Sequence, residues 1–110
     1  MITVTLFKME SAEHKDHASI AGFEFSGHAE HGVSGEDIVC AAVSSAAYMA
    51  ANTVSDVLHC SISAEVEDGY MKVMLSDNDV PRAQDILEGL KLHMEALTKQ
   101  YPENITLREV

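Results

Sequence analysis

A histidine and a cysteine, separated by a glycine-containing segment, are the residues of this 110-residue sequence best suited to covalent chemistry. His28 follows an apolar, strand-like run, and Cys40 falls near the start of an alanine-rich run. A helix N-terminus favours the thiolate form of a cysteine, and a nearby histidine lowers a thiol pKa further and can carry protons. The pair therefore predicts a cysteine nucleophile, Cys40, served by His28 as general acid and base.

The strands expected to hold this pair are indicated by alternating apolar residues. Residues Glu10–Asp16 are polar and predict a turn, and Asp68-Gly69 predicts a tight hairpin. The predicted strands are Ile2–Phe7, Ser19–Ser26, Ser61–Glu67, Tyr70–Ser76 and a last one over residues 105–110.

Two segments follow a helical period instead. The first runs from Glu36 to Leu58 and contains six alanines, so we expect a central helix packed on both sides. The second is predicted to be capped by Asp77–Asp79, with Pro81 in its first turn and an apolar stripe over Ala83–Tyr101. The order β-β-α-β-β-α-β predicts one α+β domain over residues 1–110, a mostly antiparallel sheet packed with two helices. The strand order stays open.

Two polar residues share the helical stripe of Cys40. Asp37 lies three residues before it and Ser44 four residues after it. Asp37 could orient a histidine or cap the loop, although its charge opposes formation of a thiolate. The alternative is that Cys40 is a small buried core residue, which is the commoner role of a cysteine in an alanine-rich helix. Cys60, at the far end of that helix, is predicted to be structural.

Metal and redox chemistry are weaker alternatives. His28 and His31 have a His-x-x-His spacing to which Cys40 could add a third ligand, but the second close pair of a zinc finger is missing. A disulfide between Cys40 and Cys60 would have to span a helix about 30 Å long. We therefore expect no metal and no cofactor.

The charge balance restricts the partners. Seven Lys and Arg against 18 Asp and Glu give a net charge of −11, which argues against a general nucleic-acid binder and against docking on anionic membranes. A basic protein partner would suit this charge. The start of the chain has no signal-peptide pattern, and the longest wholly apolar run, Ile38–Val43, is too short to span a bilayer. We expect a cytoplasmic protein with reduced thiols.

Two motifs, Gly27-His28-Ala29 and the Asp-Ile-Val-Cys-Ala-Ala-Val-Ser run of residues Asp37–Ser44, resemble those of the ribosomal-processing cysteine proteases of the Prp family. The resemblance covers nearly the whole chain. It implies a small homodimeric peptidase that removes the N-terminal extension of a large-subunit ribosomal protein, from a leader that ends in aromatic residues. It also implies His28 as general acid and base, Cys40 as nucleophile, and supporting positions at Gly27, Asp37 and Ser44. A non-catalytic ribosome-assembly or interaction domain of the same fold is the alternative.

Overall fold

A five-stranded sheet packs against two helices in the computed structural model, which describes residues 1–11, 14–27 and 34–110. The order β-β-α-β-β-α-β and the α+β class are both confirmed. A π-helical turn, Thr53–Val57, extends the first helix, and a 3₁₀ turn, Asp77–Ala83, precedes the second. The elements are β1 Ile2–Ser11, β2 His14–Ser26, α1 Ser34–Asn52, β3 Ile62–Glu67, β4 Tyr70–Leu75, α2 Gln84–Gln100 and β5 Ile105–Glu109.

The strands lie in the order β3-β4-β2-β1-β5. Three neighbouring pairs are antiparallel and β1–β5 is parallel, which confirms a mostly antiparallel sheet. Because β4 and β5 point the same way with two strands between them, the chain must cross over the sheet, and α2 makes that crossover. The β3–β4 hairpin is thereby left at one edge of the sheet.

The predicted turn at Glu10–Asp16 is wrong. Strand β1 continues to Ser11 and β2 begins at His14, and these two residues pair with each other. The polar residues Ser11 and His14 belong to strands because β1 and β2 pair with each other along this stretch. Such pairing does not require the apolar alternation on which the sequence prediction relied.

Helix α1 presents one buried stripe to the sheet, so the expectation of packing on both sides is wrong. The stripe is fully buried and consists of Val39, Val43, Ala47, Ala50 and Val54. The opposite face is open, with Met49 53% exposed. Residues Ile38–Val57 are long and apolar enough to cross a membrane by length and composition alone, a test that core helices also pass. Their buried stripe packs in the core of this fold.

The predicted stripe of the second helix is confirmed by buried Leu87, Leu90, Met94 and Leu97. Its start differs from the prediction, since Pro81 lies in the 3₁₀ turn and α2 begins only at Gln84. No side-chain cap hydrogen bond is made at the start of α2, and Asp79 bonds instead to the start of β3 and to the 3₁₀ turn.

Asp79 connects these two segments. Its carboxylate accepts hydrogen bonds from the Ser61 backbone N–H at 2.7 Å and from the Ser76 hydroxyl at 3.0 Å, and it pairs with Arg82 at 3.0 Å. Arg82 also donates to the Leu58 carbonyl. These bonds tie the start of β3 to the 3₁₀ turn.

Candidate active site

Cys40 is the seventh residue of α1 and is half-buried. Only the first four N–H groups of a helix lack an intrahelical acceptor. Cys40 therefore lies in the second turn of α1, close behind the N–H groups at the start of that helix. The side chains of helical residues do lean back toward the N-terminus, so the thiol is directed toward that end.

Cys40 opens into a cleft of about 440 Å³ between α1 and the β3–β4 hairpin. On the helix side, Cys40, Ser44 and Tyr48 follow one another at intervals of four residues, which places them on one face. The remaining lining residues come from the end of β2 and from the hairpin: Phe25, Val66, Glu67, Asp68, Gly69 and Tyr70. The cleft is thus a thiol-bearing helix face opposed by an edge hairpin.

Ser44 is bonded to the backbone that carries the thiol. Its hydroxyl donates a hydrogen bond of 2.8 Å to the Cys40 carbonyl oxygen one turn earlier. That bond uses the hydroxyl proton and leaves the oxygen lone pairs free to accept from a ligand in the cleft. Ser44 therefore lies beside Cys40, as their spacing predicted.

Gly27 directly follows β2, in a backbone conformation that favours glycine. Its φ is +125°, and a Cβ built on it would lie 2.2 Å from the Met1 carbonyl oxygen. Its N–H donates a 3.0 Å hydrogen bond to the carbonyl of Gly69, which lines the cleft. The backbone immediately before His28 is therefore fixed to the cleft wall.

Three of the predicted site residues lie in or against this region: Cys40, Ser44 and Gly27. His28 and His31 lie outside the described residues, as does the side chain of Asp37, whose backbone falls in the first turns of α1. Within the part of the chain that the structure describes, no group of three His, Cys, Asp or Glu side chains could hold a metal ion.

Tyr70, a lining residue at the start of β4, is bonded to a carboxylate of the neighbouring strand β2. The hydroxyl of Tyr70 donates a 3.0 Å hydrogen bond to Glu24. Burial raises the pKa of Tyr70, and the hydrogen bond to Glu24 and the nearby carboxylates of Glu65 and Glu67 raise it further.

The second cysteine lies apart from the cleft. Cys60 is 7% exposed and belongs to the hydrophobic core, and its N–H donates to the Val54 carbonyl at 3.0 Å. Its predicted structural role is confirmed by this burial. A larger groove of about 590 Å³ lies on the other side of α1, between it and α2, and no cysteine is among its lining residues.

Sequence reasoning did not find the wall that faces Cys40. Val66 and the hairpin tip reach the site only through the pairing of β3 with β4 and of β4 with β2. Tyr48 could have been found, since it continues the four-residue spacing from Cys40 and Ser44.

A half-buried thiol on a helix, open to a cleft of about 440 Å³, is an arrangement that a cysteine-dependent enzyme can use. The family model described as cysteine protease Prp matches residues 1–106, and the chain belongs to that family. It is a cysteine peptidase.

Named relatives agree with this assignment. The chain is 28% identical over 94 residues to the ribosomal processing cysteine protease Prp of Staphylococcus aureus (strain Mu50), covering 84% of this chain and 89% of that protein. It is 27% identical over 92 residues to the protein of the same name from Bacillus subtilis (strain 168), covering 78% and 82%.

Solved structures show the same fold. The S. aureus protease Prp in complex with a substrate peptide has a TM-score of 0.83 and 26% identity, with both chains fully covered. The S. aureus protease with a covalently linked product peptide has a TM-score of 0.81, 27% identity and full coverage of both chains. A Streptococcus mutans protein has a TM-score of 0.83 and 28% identity, covering all of this chain and 94% of that one.

Proposed function

We propose that this peptidase removes the N-terminal extension of a large-subunit ribosomal protein during ribosome maturation, with Cys40 as nucleophile and His28 as general acid and base. The observation that carries the proposal is the position of Cys40 on the wall of the 440 Å³ cleft. The names of the relatives support the ribosomal substrate, and the resemblance of the Gly27-His28-Ala29 motif supports the role of His28.

The chemistry follows from the thiol and the imidazole. The Cys40 thiolate attacks the scissile carbonyl carbon, and a C–S bond forms as the carbonyl π pair moves onto oxygen. The C–N bond then breaks, and protonated His28 gives its proton to the leaving amine. Neutral His28 next takes a proton from water, whose oxygen attacks the thioester carbonyl carbon. The C–S bond then breaks, which releases the carboxylic acid and restores the Cys40 thiolate beside protonated His28. No cofactor is needed for this sequence.

The supporting residues have distinct proposed tasks. Ser44 holds the cleft wall beside the thiol through its bond to the Cys40 carbonyl. Gly27 fixes the backbone that leads into His28 through its bond to Gly69. Asp37, one turn before Cys40 in α1, is proposed to orient the imidazole through its carboxylate.

The decisive experiment is a cleavage assay on the ribosomal protein that carries its N-terminal extension. Wild-type protein is compared with Cys40→Ala, His28→Ala and Cys60→Ala, the last serving as a matched cysteine control. We expect the wild type and Cys60→Ala to trim the substrate, and the other two to be at least a thousandfold slower because they lack the nucleophile or the proton carrier.

The wild-type reaction can also be quenched during turnover and analysed by mass spectrometry. The peptide that contains Cys40 should then carry an acyl group from the substrate, which would identify the nucleophile directly. Tight binding of the extended substrate without cleavage would instead support the non-catalytic assembly domain. Full activity of Cys40→Ala would show that Cys40 is not the nucleophile.

We also propose that the protease works as a cytoplasmic homodimer that does not bind nucleic acid directly. The family resemblance supports the dimer, and the net charge of −11 supports a basic protein substrate rather than RNA. Sedimentation equilibrium should give twice the mass of the chain. A monomer mass at assay concentrations would contradict the dimer.

A further inference from the structure

Strand β3 forms one end of the sheet, and no strand in the described part of the chain lies beyond it. Its pair Glu67–Tyr70 flanks the two-residue turn of the hairpin and is therefore a hydrogen-bonded pair. Because bonded and non-bonded pairs alternate along an antiparallel ladder, Glu65 also bonds to β4. The backbone N–H and C=O groups of Ala64 and Val66 point the other way, toward the free edge of the sheet.

This free edge is continuous with the cleft that Cys40 lines. Val66 lines the same cleft and lies on the edge strand itself. Every residue of β3 after Ile62 is exposed. An exposed edge strand with unpaired backbone groups is a template on which an extended peptide can form a further strand, about 4.8 Å away. A polypeptide that leaves the cleft can therefore continue alongside β3.

The edge of β3 is regular and carries negative charge. Proteins commonly protect a free edge with a proline, a lysine or a bulge, and Ile62–Glu67 contains none of these. It contains two exposed acids, Glu65 and Glu67. Lys72 pairs with Glu65, but its ammonium group lies over the ring of Phe7 in β1, away from β3. A second copy of this strand would bring like charges together, whereas a basic strand would be attracted.

The two carboxylates share one face of the sheet. Val66 pairs with the core residue Met71 and therefore projects to the helix side, because directly paired residues share a face. Glu65 and Glu67 alternate with Val66 and project to the opposite face. A strand added beyond β3 would place every second side chain beside these carboxylates. Lysine or arginine at alternate positions is therefore favoured in such a strand.

We infer that the substrate polypeptide binds as an added β-strand on the free edge of β3. Its main chain bonds to the backbone of Ala64 and Val66, and its basic side chains lie beside Glu65 and Glu67. The inference rests on the proposed peptidase site at Cys40 and adds to it the surface that holds the chain outside the cleft. Main-chain bonds supply affinity for any extended segment, and the carboxylates select among such segments.

Backbone N-methylation of the substrate gives the first test. Peptides that span the scissile bond each carry one N-methyl group, at successive positions, and kcat/KM is measured with the wild type. We expect a loss of about tenfold or more at every second position on one side of the scissile bond, because only alternate N–H groups of a strand point to its neighbour. The positions between them should change by less than about threefold.

A matched pair of variants tests the edge itself. An edge strand tolerates proline where the N–H points outward, so Ala64→Pro removes an edge donor and keeps the bonds to β4. Ala64→Val keeps that donor. We expect the proline variant to cleave the leader at least about tenfold more slowly than the valine variant. Both should react with iodoacetamide at Cys40 at the wild-type rate, which would show that the cleft is intact.

The charge of the edge is tested with peptides that carry Lys or Glu at the alternate positions found in the scan. We expect the wild type to prefer Lys over Glu by about fivefold or more, and the double variant Glu65→Gln, Glu67→Gln to lose most of that preference. Asp56→Asn is the control, since Asp56 is an exposed acid in the π-helical turn beyond α1. It should retain the wild-type ratio.

The outcomes distinguish the two proposals. A wild type that cleaves none of the peptides overturns the proposed function, and this inference with it. Cleavage without a period of two in the N-methyl scan overturns the inference alone, and the scan needs no variant to fold. Equal cleavage by Ala64→Pro and Ala64→Val also overturns it. A dimer that dissociates in Ala64→Pro but not in Ala64→Val would place a second copy on this edge, which contradicts the inference.

Discussion

Gly27 donates its backbone N–H to the carbonyl of Gly69 across 3.0 Å, which joins the end of β2 to the tip of the β3–β4 hairpin. Both residues have positive φ, +125° and +71°. Gly69 lines the cleft of Cys40, and Gly27 is the residue before His28. One hydrogen bond therefore connects the backbone of the proposed base to the wall that faces the proposed nucleophile.

Gly27→Ala should damage both folding and activity. Its Cβ would lie 2.2 Å from the Met1 carbonyl oxygen, and alanine is strained at this φ, so we expect a loss of about 1–3 kcal/mol in the free energy of unfolding. Activity should fall at least tenfold, because the backbone before His28 must shift. Urea unfolding and the leader-cleavage assay measure the two effects.

Gly89→Ala is the control for that substitution. Gly89 lies within α2, and a Cβ there would meet nothing within 4 Å. Alanine should raise the stability by about 0.5–1 kcal/mol through helix propensity, with activity unchanged. Wild-type activity in Gly27→Ala would show that the backbone at Gly27 does not position the base.

The two cysteines should differ sharply in alkylation. Cys40 is half-buried at the cleft, whereas Cys60 is 7% exposed in the core. Iodoacetamide should modify Cys40 in the native protein and reach Cys60 only after denaturation, as peptide mapping by mass spectrometry would show. Modified protein should lose cleavage activity. Preferential labelling of Cys60 under native conditions would contradict this assignment.

Much of the fold follows from local sequence pattern. Buried and half-buried residues alternate over residues 70–75, and buried residues recur every three or four positions in α2. Each period arises because one face of the element is buried, and it can be read from the sequence. The extension of β1 and β2 could not be predicted, because residues such as Ser11 and His14 are strand residues only by pairing with each other. Strand order likewise depends on contacts distant in sequence.

The part of the site formed by residues close together in the sequence could be predicted. Cys40 and Ser44 share a helical turn, so their spacing alone places them together. Val66 reaches the cleft only because β3 pairs with β4 at the edge of the sheet and because α1 lies across the cleft from that hairpin. No local pattern contains that information.

The side chain of Gln84 hydrogen-bonds to the backbone of β2 at a point beyond the pairing of β2 with β4, and its removal should lower the stability of the fold. Its side-chain amide accepts from the Ile20 N–H and donates to the Ile20 carbonyl, both at 2.9 Å, where β4 no longer pairs with β2. The amide also donates to the Val80 carbonyl at 2.8 Å, so Gln84→Ala removes a partner from three backbone groups. We expect a loss of about 2–4 kcal/mol in the free energy of unfolding, measured by urea titration.

Gln84→Glu tests the donor separately, because glutamate keeps an acceptor for the Ile20 N–H and removes the N–H that serves the Ile20 carbonyl. It should also destabilise the fold. Gln100→Ala, at the exposed end of α2, should change the stability by less than about 0.5 kcal/mol. If Gln84→Ala lowered the free energy of unfolding by less than about 0.5 kcal/mol, water would be replacing the hydrogen bonds of the amide without penalty.

Asp79 should make part of the stability depend on pH. The hydrogen bond from the Ser61 backbone N–H, followed by those from Arg82 and Ser76, lowers the pKa of Asp79 below its ordinary value of 3.8. The folded state therefore favours the ionised carboxylate. This contribution is complete above the ordinary pKa and is lost as the pH falls through the lowered folded-state pKa.

Thermal unfolding of the wild type and of Asp79→Asn should show that dependence. The variant should have the lower Tm at neutral pH, with the difference constant down to about pH 5 and shrinking as the pH falls toward about 2. Asp77→Asn, an exposed acid in the same 3₁₀ turn, should stay close to the wild type throughout. A difference between wild type and Asp79→Asn that grows on acidification would reverse the sign of this linkage, and would show that the bonds to Ser61 and Arg82 do not favour the carboxylate.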